Sequence, residues 1–242
     1  IADIVVVGGV RRSALISLSN LSDDRIRGAK SGQWWEHNPQ RALANNSAVY
    51  DSKPEFDVFL KEWQSLYESK SGERGIFSRV AAEKKAAESG RRVYYVGLGV
   101  NPCGEILLRS CQFCNLSEVV VRPTDTIEDL KRKVEQATIL GTLQSSLTDF
   151  RYLRKIWSDN TKEERLLGVS LTGIMDHPIL SGNVSRPYTL PKMLKELKDV
   201  AIETNKVWAK LLGINASVAI TCVKPSGTVS QLVNSASGIH SR

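Results

Sequence analysis

Apolar residues recur along the chain with two periods, and the switch between them lays out the elements. "ADIVVVGGVRRSALISLSN" is rich in β-branched residues around Gly8-Gly9 and predicts strand, tight turn, strand. "DRIRGAKSGQWWEHNPQR" is polar and irregular, with Trp34, Trp35 and His37 as packing or loop residues, and "ALANNSAVYD" predicts a short strand. "SKPEFDVFLKEWQSLYES" has helical spacing, with Ser52 as cap and Glu55 three residues on to complete a capping box. "SRVAAEKKAAESG" predicts a second helix ended by Gly90. "RRVYYVGLGV" and "CNLSEVVVRP" predict strands. "TDTIEDLKRKVEQATILGTLQSS" predicts a long amphipathic helix that Asp125 or Thr126 can cap. "EERLLGVSLTGIMDH" is mixed, and "PYTLPKMLKELKDVAIETNKVWAKLLG" holds the last long helix. "SVAITCVKPSGTVSQLV" predicts a strand containing a buried Cys222, a Pro-Ser-Gly-Thr turn and a further segment. Strands alternating with such helices predict an α/β fold.

Composition narrows the class. The chain has 242 residues, enough for one large domain or two small ones. With 41% hydrophobic and 24% charged residues it reads as soluble, and no apolar run approaches the roughly 20 residues of a membrane helix. The first residue is Ile1 and the last stretch is "SGIHSR", which reads as an internal piece of a longer protein. The net charge of +7 suits a polyanion. The basic residues, however, alternate with acids in "LKRKVEQ" and "LPKMLKELKDV", so they read as solvated helix faces. No nucleic-acid partner is expected, whereas nucleotide phosphates remain open. Four cysteines in so long a chain do not make a secreted disulfide framework and point to a reducing, cytoplasmic setting.

Three of those cysteines fall within "NPCGEILLRSCQFCNL", residues 101–116. Cys111-Gln112-Phe113-Cys114 is a CxxC that, with Cys103, offers three zinc ligands. A structural zinc site wants a fourth, and none of His37, His177 and His240 lies beside a second CxxC. A thioredoxin-like CxxC opens a helix, whereas this one runs into strand-like sequence. Buried inert thiols are a third reading. Thiol radical chemistry, with Glu105 and Asn101 close by, is the fourth, and the residues alone leave all four open.

The order of motifs adds a resemblance. "GGVRRSA", "ALANNSAVYD", "NPCGEI", "FCNLSEVVV", "LLGVSLTGIMDH" and "KPSGTVSQLV" follow one another as in ribonucleotide reductases, and the chain resembles the adenosylcobalamin-dependent class. That resemblance implies part of a ten-stranded α/β barrel with Cys103 on a central finger loop. Residues 1–242 would then be the central part of one catalytic domain whose N- and C-terminal parts lie outside the chain. By the same resemblance Cys103 matches the thiyl radical that takes the 3′-hydrogen of a ribonucleotide. Glu105 matches the carboxylate that takes the 3′-hydroxyl proton, and Asn101 the amide that orients the ribose. Cys114 matches one of two thiols that supply electrons and close to a disulfide, and its partner is not in the chain. Cys111 matches no family position.

Two further motifs carry implied roles. Pro225, Ser226, Gly227 and Thr228 resemble a substrate-phosphate turn, which on residue type alone reads as a plain turn between strands. Gly8, Gly9, Val10, Arg11, Arg12 and Ser13 resemble the loop through which a deoxynucleotide effector sets base specificity. Asn45, Asn46 and Ser47 belong to the same barrel without an assigned role. The implied cofactor is adenosylcobalamin and the implied electron donor a thioredoxin-like reductant, with no bound metal ion beyond the cofactor and no membrane partner. Two alternatives stand beside this reading. One is a ribonucleotide reductase whose radical comes from a separate metal-bearing subunit. The other is a zinc-stabilised nucleotide-binding module without catalysis.

Overall fold

The computed structural model describes residues 14–183 and 189–239. The chain divides into two compact units, one holding residues up to 88 together with 94–107, the other 89–93 and everything from 108 on. Residues 8–13, the expected specificity loop, lie outside the described residues. Among the described residues no helix is long and apolar enough to cross a membrane.

The first unit is built on a parallel sheet of β1 (Leu15–Asn20), β2 (Ala44–Tyr50) and β3 (Gly75–Ser78), in that order. The register of β1 on β2 runs from Leu15 opposite Ala44 to Asn20 opposite Val49. Parallel neighbours need crossovers. The first carries α1 (Asp24–Arg27), α2 (Trp34–His37) and a 3-10 turn at Pro39–Leu43, where only irregular chain is expected from sequence. The second is α3 (Phe56–Ser69). Gly75 opens β3 because a Cβ there would lie 2.9 Å from Ser47 Oγ. The predicted second helix forms as α4 (Arg79–Glu88), directly after a strand β3 that the sequence pattern does not announce, and Gly90 beyond it has a positive φ.

Two expectations fail in this unit. The Ser52–Glu55 capping box does not form. Glu55 is itself the N-cap, extended at φ −64°, ψ 154°, with no side-chain cap bond. Pro54 explains this, since the residue before a proline is pushed out of helical conformation and the helix starts after it. The strand expected over 91–100 shrinks to β4 (Gly99–Val100), which pairs with β5 (Leu107–Leu108). The residues before it turn at Gly97, φ 88°, and give their backbone groups to side chains of α4.

The second unit pairs β6 (Asn115–Val120) in parallel with β7 (Leu167–Thr172), Asn115 opposite Leu167 and Val120 opposite Thr172. β7 is buried along nearly its whole length, as parallel strands covered on both faces are. Between them run α5 (Ile127–Gln144) and α6 (Lys155–Glu164), and β7 leads through a 3-10 turn at Ile174–Asp176 to α7 (Leu190–Leu212). α5 and α7 pack on each other, and Leu130, Val134, Val169, Met193, Leu197 and Ala201 form the core with them. Thr126 caps α5 in a true capping box with Asp129. The strand expected around Cys222 is reduced to a bridge between Val169 and Thr221, and Cys222 is half-buried. The "KPSGT" turn leads into a short helix, α8 (Gly227–Leu232), and does not join two strands.

A buried ion network braces the first unit. Glu62 of α3 accepts from Arg74 Nη2 at 2.7 Å and Nε at 2.9 Å, and also from Arg27. Burial pushes the Glu62 carboxyl up, but the bonds from Arg74 and Arg27 outweigh it and hold it below its ordinary value. A carboxylate lowered on folding stabilises above the ordinary glutamate range and loses that contribution as pH falls through the folded value. Urea midpoints measured against pH should therefore drop more steeply on acidification in the wild type than in Glu62→Gln. At neutral pH Glu62→Gln should cost about 3–5 kcal/mol, because two arginines are left buried without their carboxylate. Identical pH slopes in the two proteins would contradict the account.

Candidate functional site

Asn101, Cys103 and Glu105 share one tight loop between β4 and β5, and Asn101 closes it three times. Its backbone N–H donates to Ile106 O at 3.2 Å, and its carbonyl accepts from Gly104 N–H at 2.9 Å. Its Oδ1 accepts from Ile106 N–H at 3.0 Å. Gly104 sits at φ 86°, where a Cβ is strained, so the turn needs a glycine beside the thiol. The result is an exposed Cys103 at the tip and a buried Ile106 at the base. Glu105, between them, is half-buried with both carboxylate oxygens out of solvent.

The loop is tied to its surroundings by side chains. Asn45 Nδ2, on β2, donates to Pro102 O at 2.9 Å. Arg79 Nε donates to Leu98 O at 3.0 Å on the incoming arm. Glu83 accepts from Gly97 N–H at 2.7 Å and from Tyr94 Oη at 2.9 Å. That bond to Glu83, with a smaller effect of burial, raises the Tyr94 phenol above its ordinary value. Sequence reasoning gave Asn45 no role. The available signal was a pair of amides at 45 and 46, opening a strand whose later residues are apolar.

Cys114 lies in the second unit, half-buried just before β6. Gln112, two residues earlier, is buried and fixes this stretch. Its Oε1 accepts from Arg109 N–H at 2.8 Å, and its amide donates to Glu164. Arg92 completes the cluster with Nη2 2.7 Å from Glu164 Oε2. Phe113 packs on Phe150 and Trp157. Cys111 takes a left-handed conformation, φ 56°, and receives Arg154 Nη2 at 3.4 Å. No helix begins at the CxxC, so it lacks the setting of a thioredoxin-like motif. Among the described residues no three His, Cys, Asp or Glu side chains gather as a set able to hold a metal ion, which leaves the zinc expectation without a built site.

The expected phosphate segment is also in the second unit. Ser226 is a buried, left-handed residue at φ 57° immediately before α8, and its Oγ has no hydrogen-bond partner among the described residues. Pro225 O accepts from Gly238 N–H at 3.1 Å, an approach that only glycine allows, since a Cβ at 238 would lie 1.8 Å from Lys224 O. Gly227 and Thr228 form the first turn of α8. The structure thus gathers Asn101, Cys103 and Glu105 in one unit, and carries Cys114 and residues 225–228 in the other.

No family model matches the chain. It is 32% identical over 270 residues to the adenosylcobalamin-dependent ribonucleoside-triphosphate reductase of Lactobacillus acidophilus, across 98% of this chain and 34% of that protein. The protein of the same name from Lacticaseibacillus paracasei is 30% identical over 265 residues, with the same coverage. The crystal structure of a B-12-dependent (class II) ribonucleotide reductase superposes with a TM-score of 0.69 at 26% identity, over 98% of this chain and 35% of that one. In sequence and fold the chain is similar to ribonucleotide reductases. Within them its likeness runs to the adenosylcobalamin-dependent ribonucleoside-triphosphate reductases, of whose length it spans about a third.

Exposure orders the four thiols. Cys103 alone is exposed, while Cys111, Cys114 and Cys222 are half-buried. Brief alkylation of the native protein followed by peptide mapping should modify Cys103 first. Faster labelling of Cys114 or Cys222 would contradict the loop geometry.

Proposed function

We propose that the chain is the central part of one catalytic barrel domain in a cytoplasmic, adenosylcobalamin-dependent ribonucleotide reductase. The enzyme reduces ribonucleoside triphosphates to 2′-deoxyribonucleotides for DNA synthesis. The observation that carries the reading is the exposed Cys103 on a loop closed by Asn101, with the Glu105 carboxylate two residues on. The named relatives support the choice of reaction and cofactor.

In this reading the Cys103 thiyl removes the 3′-hydrogen atom, Glu105 takes the 3′-hydroxyl proton, and the departing 2′-hydroxyl gains one proton in exchange and leaves as water. Asn101 spends its Oδ1 on Ile106, so its Nδ2 is the group it offers to the ribose. Cys114 and a partner thiol outside this chain lose two hydrogen atoms to the sugar and close to a disulfide, after which Cys103 returns its hydrogen to C3′. A thioredoxin-like protein re-reduces the disulfide. The buried Ser226 hydroxyl fits a polar ligand, and with Pro225, Gly227 and Thr228 it takes the substrate phosphates. Gly8, Gly9, Val10, Arg11, Arg12 and Ser13 respond to a deoxynucleotide effector. The barrel has ten strands around the loop. Adenosylcobalamin, when bound, would supply the radical chemistry that Cys103 uses. The described residues fit that chemistry through one group, an exposed thiol at a loop tip.

The test uses a polypeptide of the relatives' full length carrying this segment. With adenosylcobalamin, a dithiol and ribonucleoside triphosphates, and no second subunit, it should form deoxynucleotide. Glu105→Gln should lower kcat by about 10²–10⁴-fold while nucleotide binding persists. Product formed only after a radical-generating subunit is added would keep the reaction and change the cofactor. No product under either condition, from folded protein, would overturn the reading.

A further inference from the structure

We propose that Asn45 is a positioning residue for the Cys103 thiol, and that the Lys30–Glu73 ion pair sets Asn45 for that task. The inference rests on the function proposed above for Cys103. Its structural half stands on geometry alone.

Asn45 Nδ2 donates to the carbonyl of Pro102. That carbonyl shares a rigid peptide plane with the N–H and Cα of Cys103. Holding the oxygen therefore holds the Cα of the thiol residue. Pro102 has a ring-fixed φ, so little freedom remains on its N-terminal side. Asn101 closes the base of the loop, and Asn45 fixes the peptide at its tip.

Asn45 is held just as tightly. Lys30 Nζ donates to Ala44 O at 2.5 Å and to Glu73 Oε1 at 2.9 Å. Glu73 Oε2 accepts from Asn46 N–H at 2.6 Å. The Ala44 carbonyl and the Asn46 N–H belong to the two peptide planes flanking the Asn45 Cα. One ion pair, whose lysine is buried, thus grips the backbone on both sides of Asn45. The strand register adds a third constraint by setting Asn45 opposite Ile16. The path of support runs from Lys30 and Glu73 through Asn45 to Pro102 and Cys103, all within the first unit.

A hydrogen-atom transfer is sensitive to this placement, since displacements of about 1 Å from attack geometry can cost about 10²-fold. Asn45 acts through its bond to the loop, so its loss should lower kcat and leave KM nearly unchanged. Asn45→Asp is the informative variant. It keeps the shape of the side chain, but an ionised carboxylate only accepts and cannot hold the Pro102 carbonyl.

Two measurements on the full-length protein test the proposal. Amide hydrogen exchange in Asn45→Asp should accelerate at Gly104 and Ile106, whose N–H groups Asn101 holds, by about five- to tenfold, the loss of one hydrogen bond, and stay unchanged at Ala48–Tyr50. Turnover should fall about tenfold in kcat at constant KM. Glu73→Gln, which loosens the grip without touching the loop, should move both readouts the same way by less. Wild-type exchange at the loop in Asn45→Asp would overturn the tether. Faster loop exchange with unchanged kcat would overturn the positioning role. If the wild-type protein makes no deoxynucleotide, the functional reading fails by itself, and hydrogen exchange still decides whether Asn45 holds the loop.

Discussion

The candidate site depends on Asn101 closing the loop that carries Cys103. One residue supplies a backbone donor, a backbone acceptor and a side-chain acceptor to the same six-residue turn. A turn this tight leaves polar backbone groups that no sheet ladder can satisfy, and buried polar groups without partners are costly. Asn101 meets that need from inside the loop. Glycine at 104 accepts the positive φ that follows, and the chain then turns Cys103 outward and Ile106 inward. Thiol exposure is thus a consequence of backbone closure.

The same solution recurs where the chain is irregular around Cys103 and Cys114. Glu83 and Arg79 take up the backbone of the incoming arm, Asn45 takes the tip, and Gln112 takes the stretch before Cys114. Behind these side chains stand buried ion pairs, Arg74 with Glu62 in the first unit and Arg92 with Glu164 in the second. Such pairs give modest net stability because desolvation offsets their attraction. Their worth here is geometric, since guanidinium and carboxylate accept few alternative arrangements.

Local chemistry was legible from sequence and long-range support was not. The α5 cap was legible to within a residue, as Asp125 or Thr126, because capping is confined to one turn, and the structure places it at Thr126 with Asp129 three residues on. The clustering of Asn101, Cys103 and Glu105 was legible for the same reason. The Ser52–Glu55 box has the same spacing, yet Pro54 vetoes it. "RRVYYVG" has strand composition, but its backbone bonds go to Glu83 and Arg79, which only the fold brings near. The pattern of basic residues predicts solvated helix faces. Arg27, Lys30, Arg74 and Arg92 instead have little or no solvent exposure and brace the interior, a role that depends on Glu62, Glu73 and Glu164 far along the chain.

The central claim is that Cys103 on this loop takes the 3′-hydrogen of a ribonucleotide. It is tested most directly by comparing 3′-deuterated with unlabelled ribonucleoside triphosphate in the full-length protein, using Cys103→Ser alongside. The account predicts slower turnover of the deuterated substrate by the wild type and no product from Cys103→Ser, in which Asn101 still closes the loop. Product from Cys103→Ser at the wild-type rate would contradict it.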